Sequence, residues 1–507
     1  MQTRTLAVLA VAAVLASFFL ALGRAPLFDV DEGAFSQATM EMFQRGDFLS
    51  TYLNGAPRYD KPILVYWLQA ASVLALGPTE WAFRLPSAIC AALWCFLVFS
   101  FTRTFYGVNA GLAAAACAAT SVGVFIIGRA ATADALLNLL IAASMFSAWL
   151  YLQRGERKWL YAAFAAVALG VLAKGPVAIL VPGAVTFLFC LLRRDIRTWL
   201  RVVLDWRALA LFVLIAAPWY VVILYKEGWA FVEGFILKHN VQRFGQPLQS
   251  HGGSLVYYLP VILVVSLPHT GLFLRALTRI KTLWRDDLQC YLLLWFAFVF
   301  IFFSLSGTKL PHYVLYGMSG MFVLMGWQAG ESPSRWWLAV PVALFFIFLL
   351  ALPWGLDMAA AKSPDAYYEM TLADAASRLG TAYYVYVAVA GLFLLWLIAQ
   401  PRIDTAHKLA AAGALSVAIA AVFVVPAAGA VQEPVKRAAE LARARNYDIV
   451  MWGINVPSFS VYYGRPTASR TPRAGDVVLT RSRRLGELPA YDTVYARKGV
   501  ALVRIRG

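Results

Sequence analysis

Long apolar runs alternate with short polar breaks from the first residues to about residue 430, after which the pattern changes. A helix needs about 20 apolar residues to cross roughly 30 Å of bilayer hydrocarbon. Such runs begin near Leu6, Pro86, Val108, Ala135, Trp159, Val177, Ala208, Leu255, Tyr291, Tyr313, Trp336, Ala382 and Leu409, predicting about 13 transmembrane helices within residues 1–430. The first run follows Arg4, and Leu22-Gly23-Arg24 is a poor small-x-small cleavage site, so it reads as a span and not as a removable signal peptide. Two breaks are long, residues 24–84 and 226–254. In the first, Phe35, Thr39, Met42 and Phe43 recur at helical spacing and suit an amphipathic helix at the membrane interface. A third break, 357–379, reads as a short surface helix. Residues 431–507 predict a small α/β domain, with a helix over 433–446 and strands over 448–452, 476–480, 493–496 and 500–504 separated by Gly and Pro. The fold class expected is an all-α polytopic membrane protein with a small C-terminal α/β domain.

Composition agrees. Of 507 residues, 61% are hydrophobic and 14% charged, against roughly a quarter charged in soluble domains. The net charge of +17 is concentrated in alternate short breaks: Arg103; Arg154, Arg157 and Lys158; Arg193, Arg194, Arg197 and Arg201; Arg275, Arg279, Lys281 and Arg285; Arg335; Arg402 and Lys408. Cytoplasmic loops carry such excess. The N-terminus is therefore expected inside, and the long loops and the C-terminal domain outside. No basic soluble module is present, so nucleic acid is not an expected partner. Cys90, Cys95, Cys117, Cys190 and Cys290 lie in or beside apolar runs without a CxxC pair and read as inert core thiols.

With that orientation, five polar groups share the outer face. Asp29-Val-Asp31-Glu32-Gly33 and Arg58-Tyr59-Asp60-Lys61-Pro62 lie in the first loop. An Asp near a membrane face can act as a general base on a hydroxyl or bind a cation, and equally can sit in a solvated loop as a helix cap. Arg129-Ala-Ala-Thr-Ala-Asp134 joins two spans, as chemistry or as a cap with an ion pair. In the turn Lys174-Gly-Pro176 the ammonium either snorkels or meets a phosphate. Lys238-His239-Asn-Val-Gln-Arg243-Phe244, followed by His251, supplies Arg243 as a bidentate phosphate clamp or as loop charge; its histidine spacing is no zinc motif. Ser304-Leu-Ser-Gly-Thr308-Lys309-Leu-Pro311-His312-Tyr313 brings together a Lys, a His and a Tyr, as a site or as an interfacial anchor. Several cations with a few carboxylates are the inventory needed to hold a phosphate leaving group and activate a nucleophile.

These residues resemble a family. Asp31-Glu32 with Ala34-Phe35 and Glu41-Met42, then Gly46-Asp47-Phe48 and Lys61-Pro62, are similar to the start of the membrane-embedded C-type glycosyltransferases. The closest likeness is to the bacterial branch related to protein O-mannosyltransferases, which includes the aminoarabinose transferases that modify lipid A. Arg129-x-x-x-x-Asp134, Ala173-Lys174-Gly175-Pro176, Phe303-Ser304 with Lys309-Leu310-Pro311-x-Tyr313, and Ser458-Phe-Ser-Val-Tyr-Tyr463-Gly464-Arg465-Pro466 extend the resemblance along the chain. It departs from the aminoarabinose branch at Asp60, where Glu is expected, and at His312.

The resemblance implies an inverting glycosyltransferase of a bacterial inner membrane. A polyprenyl-phosphate sugar would be its donor, a lipid or glycan such as lipid A its acceptor, and membrane lipids its surroundings. Asp31 would be the catalytic carboxylate. Lys61, Arg58, Lys174, Arg243, Lys309, His312 and Tyr313 would surround the donor phosphate. Glu32, Tyr59, Asp60, Asp134, Arg129 and His239 would shape the cavity or hold a cation. No cofactor is required, and a divalent cation is optional. Two other classes compete: a lipid or glycan transporter or flippase, which would place polar groups near the bilayer midplane and show repeats, and a nonenzymatic envelope scaffold; within the enzyme class the rival is an envelope-polymer ligase or polymerase, whose large loop normally comes late in the chain.

Overall fold

The computed structural model describes residues 2–242 and 253–506. Helical segments stand at all thirteen expected places. In the first half these are α1 (Gln2–Phe18), α4 (Glu80–Tyr106), α5 (Val108–Thr120) with α6 (Val122–Arg129), α7 (Asp134–Arg154), α8 (Arg157–Lys174), α9 (Val177–Leu192) and the helix Trp206–Glu227. They continue with Tyr258–Val265 and Thr270–Thr278, Asp287–Leu305, Pro311–Gly317 running into Met318–Ala329, Trp336–Ala361, Thr381–Ala399 and Thr405–Val431. Among the described residues seven helices are long and apolar enough to cross a bilayer unaided, or eight counting α5 and α6, which bend by 64° at Ser121. The remainder are short or interrupted. Pro268, for example, has no N–H to donate and separates Tyr258–Val265 from Thr270–Thr278.

The bundle is apolar on its outside. Leu74, Leu214 and Leu392 are among many large side chains left bare, a surface that only hydrocarbon can cover. Inside, small residues let helices meet closely. A Cβ on Gly413 would approach Thr120 Oγ1 to 2.1 Å, and one on Gly326 would approach the Ala110 carbonyl to 2.4 Å. All five cysteines are buried and free.

The first long loop is ordered by α2 (Asp31–Arg45), a hairpin of β1 (Tyr52–Leu53) and β2 (Ala56–Pro57), and α3 (Leu64–Leu76). Asn54 and Gly55, at φ 53° and 86°, make the tight turn, and their N–H groups donate to the buried Glu41 carboxylate at 2.5 and 3.1 Å. The expected interfacial position of α2 is corrected. Phe35, Thr39 and Met42 are buried, because the C-terminal domain covers the helix from one side and α3 from another. The second long region begins at the end of the helix Trp206–Glu227, whose last turn is tied to the first loop: Glu227 accepts from Ser50 Oγ at 2.6 Å, and Lys226 pairs with Asp47.

The C-terminal residues form a five-stranded sheet of β3 (Ile449–Met451), β4 (Ala468–Ser469), β5 (Val477–Arg481), β6 (Tyr491–Arg497) and β7 (Val500–Ile505), ordered β4-β3-β5-β7-β6. The pairs of β3 are parallel and the others antiparallel. The helices Glu433–Ala444 and Pro457–Tyr463 pack with it around Phe459, Leu479 and Leu502. Lys436 Nζ donates to Glu80 Oε1 at 2.5 Å and the Leu27 N–H to Tyr462 Oη at 2.7 Å, fixing this unit onto the bundle and the first loop.

Candidate active site

Two short turns build the floor of the site. Residues 130–133 connect α6 to α7, so Asp134 opens α7, where a helix N-terminus favours a negative charge. Lys174 closes α8, and Gly175 turns the chain at φ 92°, where a Cβ would strike the Phe235 ring at 2.6 Å. The Lys174 ammonium pairs with Asp134 and donates to Tyr316 Oη at 2.8 Å. Tyr316 Oη donates to Asp134 Oδ1 at 3.0 Å, Thr132 Oγ1 donates to Oδ2 at 3.2 Å, and His312 Nε2 stands 3.3 Å from Oδ1. A buried carboxylate is tolerable only when charge and hydrogen bonds surround it in this way.

The first loop forms the roof. Asp31, at the first position of α2, is exposed toward a cavity of about 800 Å³ lined also by Phe35, Arg58, Asp60, Lys61 and Lys174. Lys238, His312 and Tyr313 close it from the second loop region and the Pro311 turn, and Asn455 reaches in from the C-terminal domain. The buried Arg58 guanidinium pairs with Asp60 at 3.2 Å and lies 5.3 Å from the centre of the Phe35 ring. Burial pulls its pKa down, but Tyr66, Asp60 and Asp31 together hold it above the ordinary value. Lys61 Nζ donates to the Asp60 carbonyl at 2.9 Å. The cavity therefore sets the carboxylates of Asp31 and Asp60 against several cations, above the ends of the apolar helices.

Beside the cavity, Ser458 of the C-terminal domain donates its N–H to Asp29 Oδ1 at 2.8 Å and its hydroxyl to Oδ2. Burial raises the Asp29 pKa to about 7, against the lowering effect of Ser458 and Arg481.

Four expectations are corrected. Glu32 does not line this cavity: it is buried and held by Arg84 through bonds of 2.9 and 2.7 Å, while also accepting from the N–H groups of Phe28 and Ala131. Arg129 lies on the far side of the same wall, donating to the Ser17 carbonyl at 2.9 Å. Tyr59 turns away and donates to Glu227 Oε2 at 2.8 Å; burial, then this carboxylate, push its pKa up to about 12. Lys309 is buried in its own turn, donating to the Ser306 carbonyl at 2.5 Å, and is not among the residues lining the cavity. In each case a closer partner claims the charge or hydroxyl. Arg243 and His251 lie outside the described residues, as does the side chain of His239. Among the described residues no three His, Cys, Asp or Glu side chains converge as a metal-ion cage.

Three contributors went unrecognised in the sequence. Tyr316 lies three residues after Tyr313, the spacing that stacks side chains on the 3₁₀ turn Pro311–Gly317, so the pair was discoverable. Arg84 sits inside an apolar run, where a charge marks a functional or structural pairing. Nothing local distinguishes Asn455.

The fold is that of the C-type membrane glycosyltransferases: a helical bundle with a charged cavity roofed by its first loop. Residues 60–222 match the family described as dolichyl-phosphate-mannose-protein mannosyltransferase. The chain is 30% identical over 325 residues to an uncharacterized protein of Aquifex aeolicus (strain VF5), covering 64% of this chain and 73% of that one. It is also 30% identical over 335 residues to the undecaprenyl phosphate-alpha-4-amino-4-deoxy-L-arabinose arabinosyl transferase of Serratia proteamaculans (strain 568). That alignment covers 63% of this chain and spans 59% of the transferase's length. Among solved structures, ArnT from Cupriavidus metallidurans bound to undecaprenyl phosphate superposes with a TM-score of 0.82 at 20% identity, covering 98% and 97% of the two chains. The Archaeoglobus fulgidus oligosaccharyltransferase reaches 0.50 at 12% identity, over 92% of this chain and 64% of that one. The chain belongs to the protein O-mannosyltransferase and aminoarabinose transferase (ArnT-like) superfamily of multi-pass membrane proteins.

Proposed function

We propose that this protein is an inverting glycosyltransferase that moves a sugar from a polyprenyl-phosphate donor to an envelope lipid or glycan, such as lipid A, at the periplasmic face of a bacterial inner membrane. The observation that carries the reading is the single cavity in which Asp31 faces Arg58, Lys61, Lys174, Lys238 and His312. The arnT-type relatives, named for transfer from undecaprenyl phosphate, supply the donor class.

The polyprenyl tail lies among the apolar helices and its phosphate enters the cavity. The acceptor oxygen attacks the anomeric carbon from the side opposite the phosphate, and the bond from that carbon to the phosphate oxygen breaks with both electrons going to the oxygen. Asp31 takes the acceptor's proton, or orients an acceptor that is already anionic. Arg58 and Lys61 stabilise the charge growing on the departing phosphate; each well-placed donor of this kind is worth about 2.7–4 kcal/mol of barrier. Lys174 pairs with Asp134, which His312 also faces, so the Lys174 charge is partly neutralised before substrate binds. A divalent cation, if bound, would be held by the carboxylates of Asp31, Asp60 and Asp134 and would supply further positive charge to the phosphate.

Lipid and glycan mass spectrometry of a deletion strain tests the reading: a glycolipid should lose the mass of one sugar, and the wild-type gene should restore it. Asp31→Asn should insert in the membrane yet fail to restore the mass. Full restoration by that variant would remove Asp31 from its role, and an unchanged glycan profile in the deletion strain would overturn the transferase reading.

A further inference from the structure

A second cavity, of about 430 Å³, lies on the other side of the wall made by residues 28–32 and 129–131. It runs between α6, Trp336–Ala361 and the last third of Thr405–Val431, with Phe125, Leu352 and Val424 in its walls. Ile126 and Phe348, also in its lining, are more than half exposed on the outside of the bundle, so the groove opens toward lipid. Its polar residues are Glu32, Arg84 and Arg129.

Two guanidiniums face this groove beside one carboxylate, and Arg84 has already taken it. Arg84 engages both oxygens of Glu32 and gives its other N–H groups to the carbonyls of Leu22, Ala25 and Pro26. Arg129 is 7% exposed. Its Nη1 donates to the Ser17 carbonyl at 2.9 Å and its guanidinium lies 5.1 Å from the centre of the Phe125 ring. Among the described residues Nη2 has no hydrogen-bond partner, and neither has Ser17 Oγ. A buried guanidinium without its full set of acceptors is costly, and an anionic oxygen supplies the strongest partner it can have.

We propose that this groove binds a membrane lipid with an anionic phosphate head. The phosphate accepts from Arg129, and the chain lies between α6 and the two later helices, along Phe125, Leu352 and Val424. The arrangement follows from charge complementarity at one end and apolar walls opening to the bilayer. The site is separate from the cavity holding Asp31, because no residue lines both: Asp31, Thr132 and Ala133 face one, and Glu32, Arg129 and Ala130 face the other. It does not depend on the reaction assigned to that cavity.

Native mass spectrometry of the full chain in detergent, titrated separately with phosphatidylglycerol, phosphatidylcholine and inorganic phosphate, tests the proposal. The tightest phosphatidylglycerol should bind as one copy, more tightly than phosphatidylcholine, and inorganic phosphate should not displace it. Arg129→Gln should weaken that copy about tenfold or more, the loss of one charged hydrogen bond, and Arg129→Lys should restore part of it. Val424→Trp, which keeps Arg129 and fills the chain's path, should also lose the copy, so the idea stays testable if Arg129→Gln fails to fold. Unchanged phosphatidylglycerol affinity in either Arg129→Gln or Val424→Trp, or equal binding of phosphatidylcholine, would overturn it. Displacement by inorganic phosphate would reduce the site to a free-anion site and equally refute a lipid occupant.

Discussion

Asp134 shows how one side chain organises a site. Its carboxylate gathers Lys174, Tyr316, Thr132 and His312 where the membrane helices end. Lys174→Ala would leave that carboxylate buried beside a weakened set of partners, and should cost about 3–5 kcal/mol. Tyr316→Phe removes one hydroxyl and should cost about 1 kcal/mol. Thermal unfolding in detergent compares the two; equal, small effects would show that Asp134 is solvated and not held. Lys61 differs, since it lines the cavity while anchored to the backbone of Asp60. Lys61→Ala should weaken binding of the polyprenyl-phosphate donor, measured by titrating the purified protein, with little change in unfolding temperature.

Among elements, the join between the first loop and the C-terminal domain is sensitive to pH. Asp29, two residues before Asp31, is held by Ser458, and its pKa rises to about 7 from 3.8. A carboxyl with a raised folded pKa binds its proton more tightly in the folded state. Its stabilising effect is complete below about pH 4 and is lost as pH climbs to about 7. The unfolding temperature should therefore fall between pH 5.5 and pH 7.5, and Asp29→Asn should flatten that fall. A wild-type profile unchanged by the substitution would show that another group sets the slope. The turn at Lys174-Gly175 was legible as a break between helices, whereas the hairpin at Asn54-Gly55 went unread although Asn-Gly is a strong hairpin signal. The burial of α2 was not, because an amphipathic helix presents the same pattern to a membrane surface as to a folded domain.

For the whole molecule, every described residue of the cavity and the whole C-terminal sheet lie on one end of the bundle, opposite the basic turn at Arg193 and Arg194. The five native cysteines are buried, so single new cysteines can report the orientation proposed above. Glu487→Cys in the C-terminal domain should react with a membrane-impermeant maleimide in intact spheroplasts, whereas Arg194→Cys should react only after permeabilisation. The reverse pattern would put the cavity in the cytoplasm.

The amino-acid order by itself determined that the chain lives in a membrane, roughly where its helices run, that an α/β unit follows them, and which turns carry charge. Those features depend on local apolar periodicity and turn chemistry, which each stretch of sequence displays alone. Partner choice was settled only when distant segments met. Arg84 saturates Glu32, Glu227 draws Tyr59 from the cavity, and Asn455 arrives from the far end of the chain. Electrostatic pairing acts over a few ångströms of space whatever the separation in sequence, so the charged residues could be counted in advance but their assignments had to await the packed bundle.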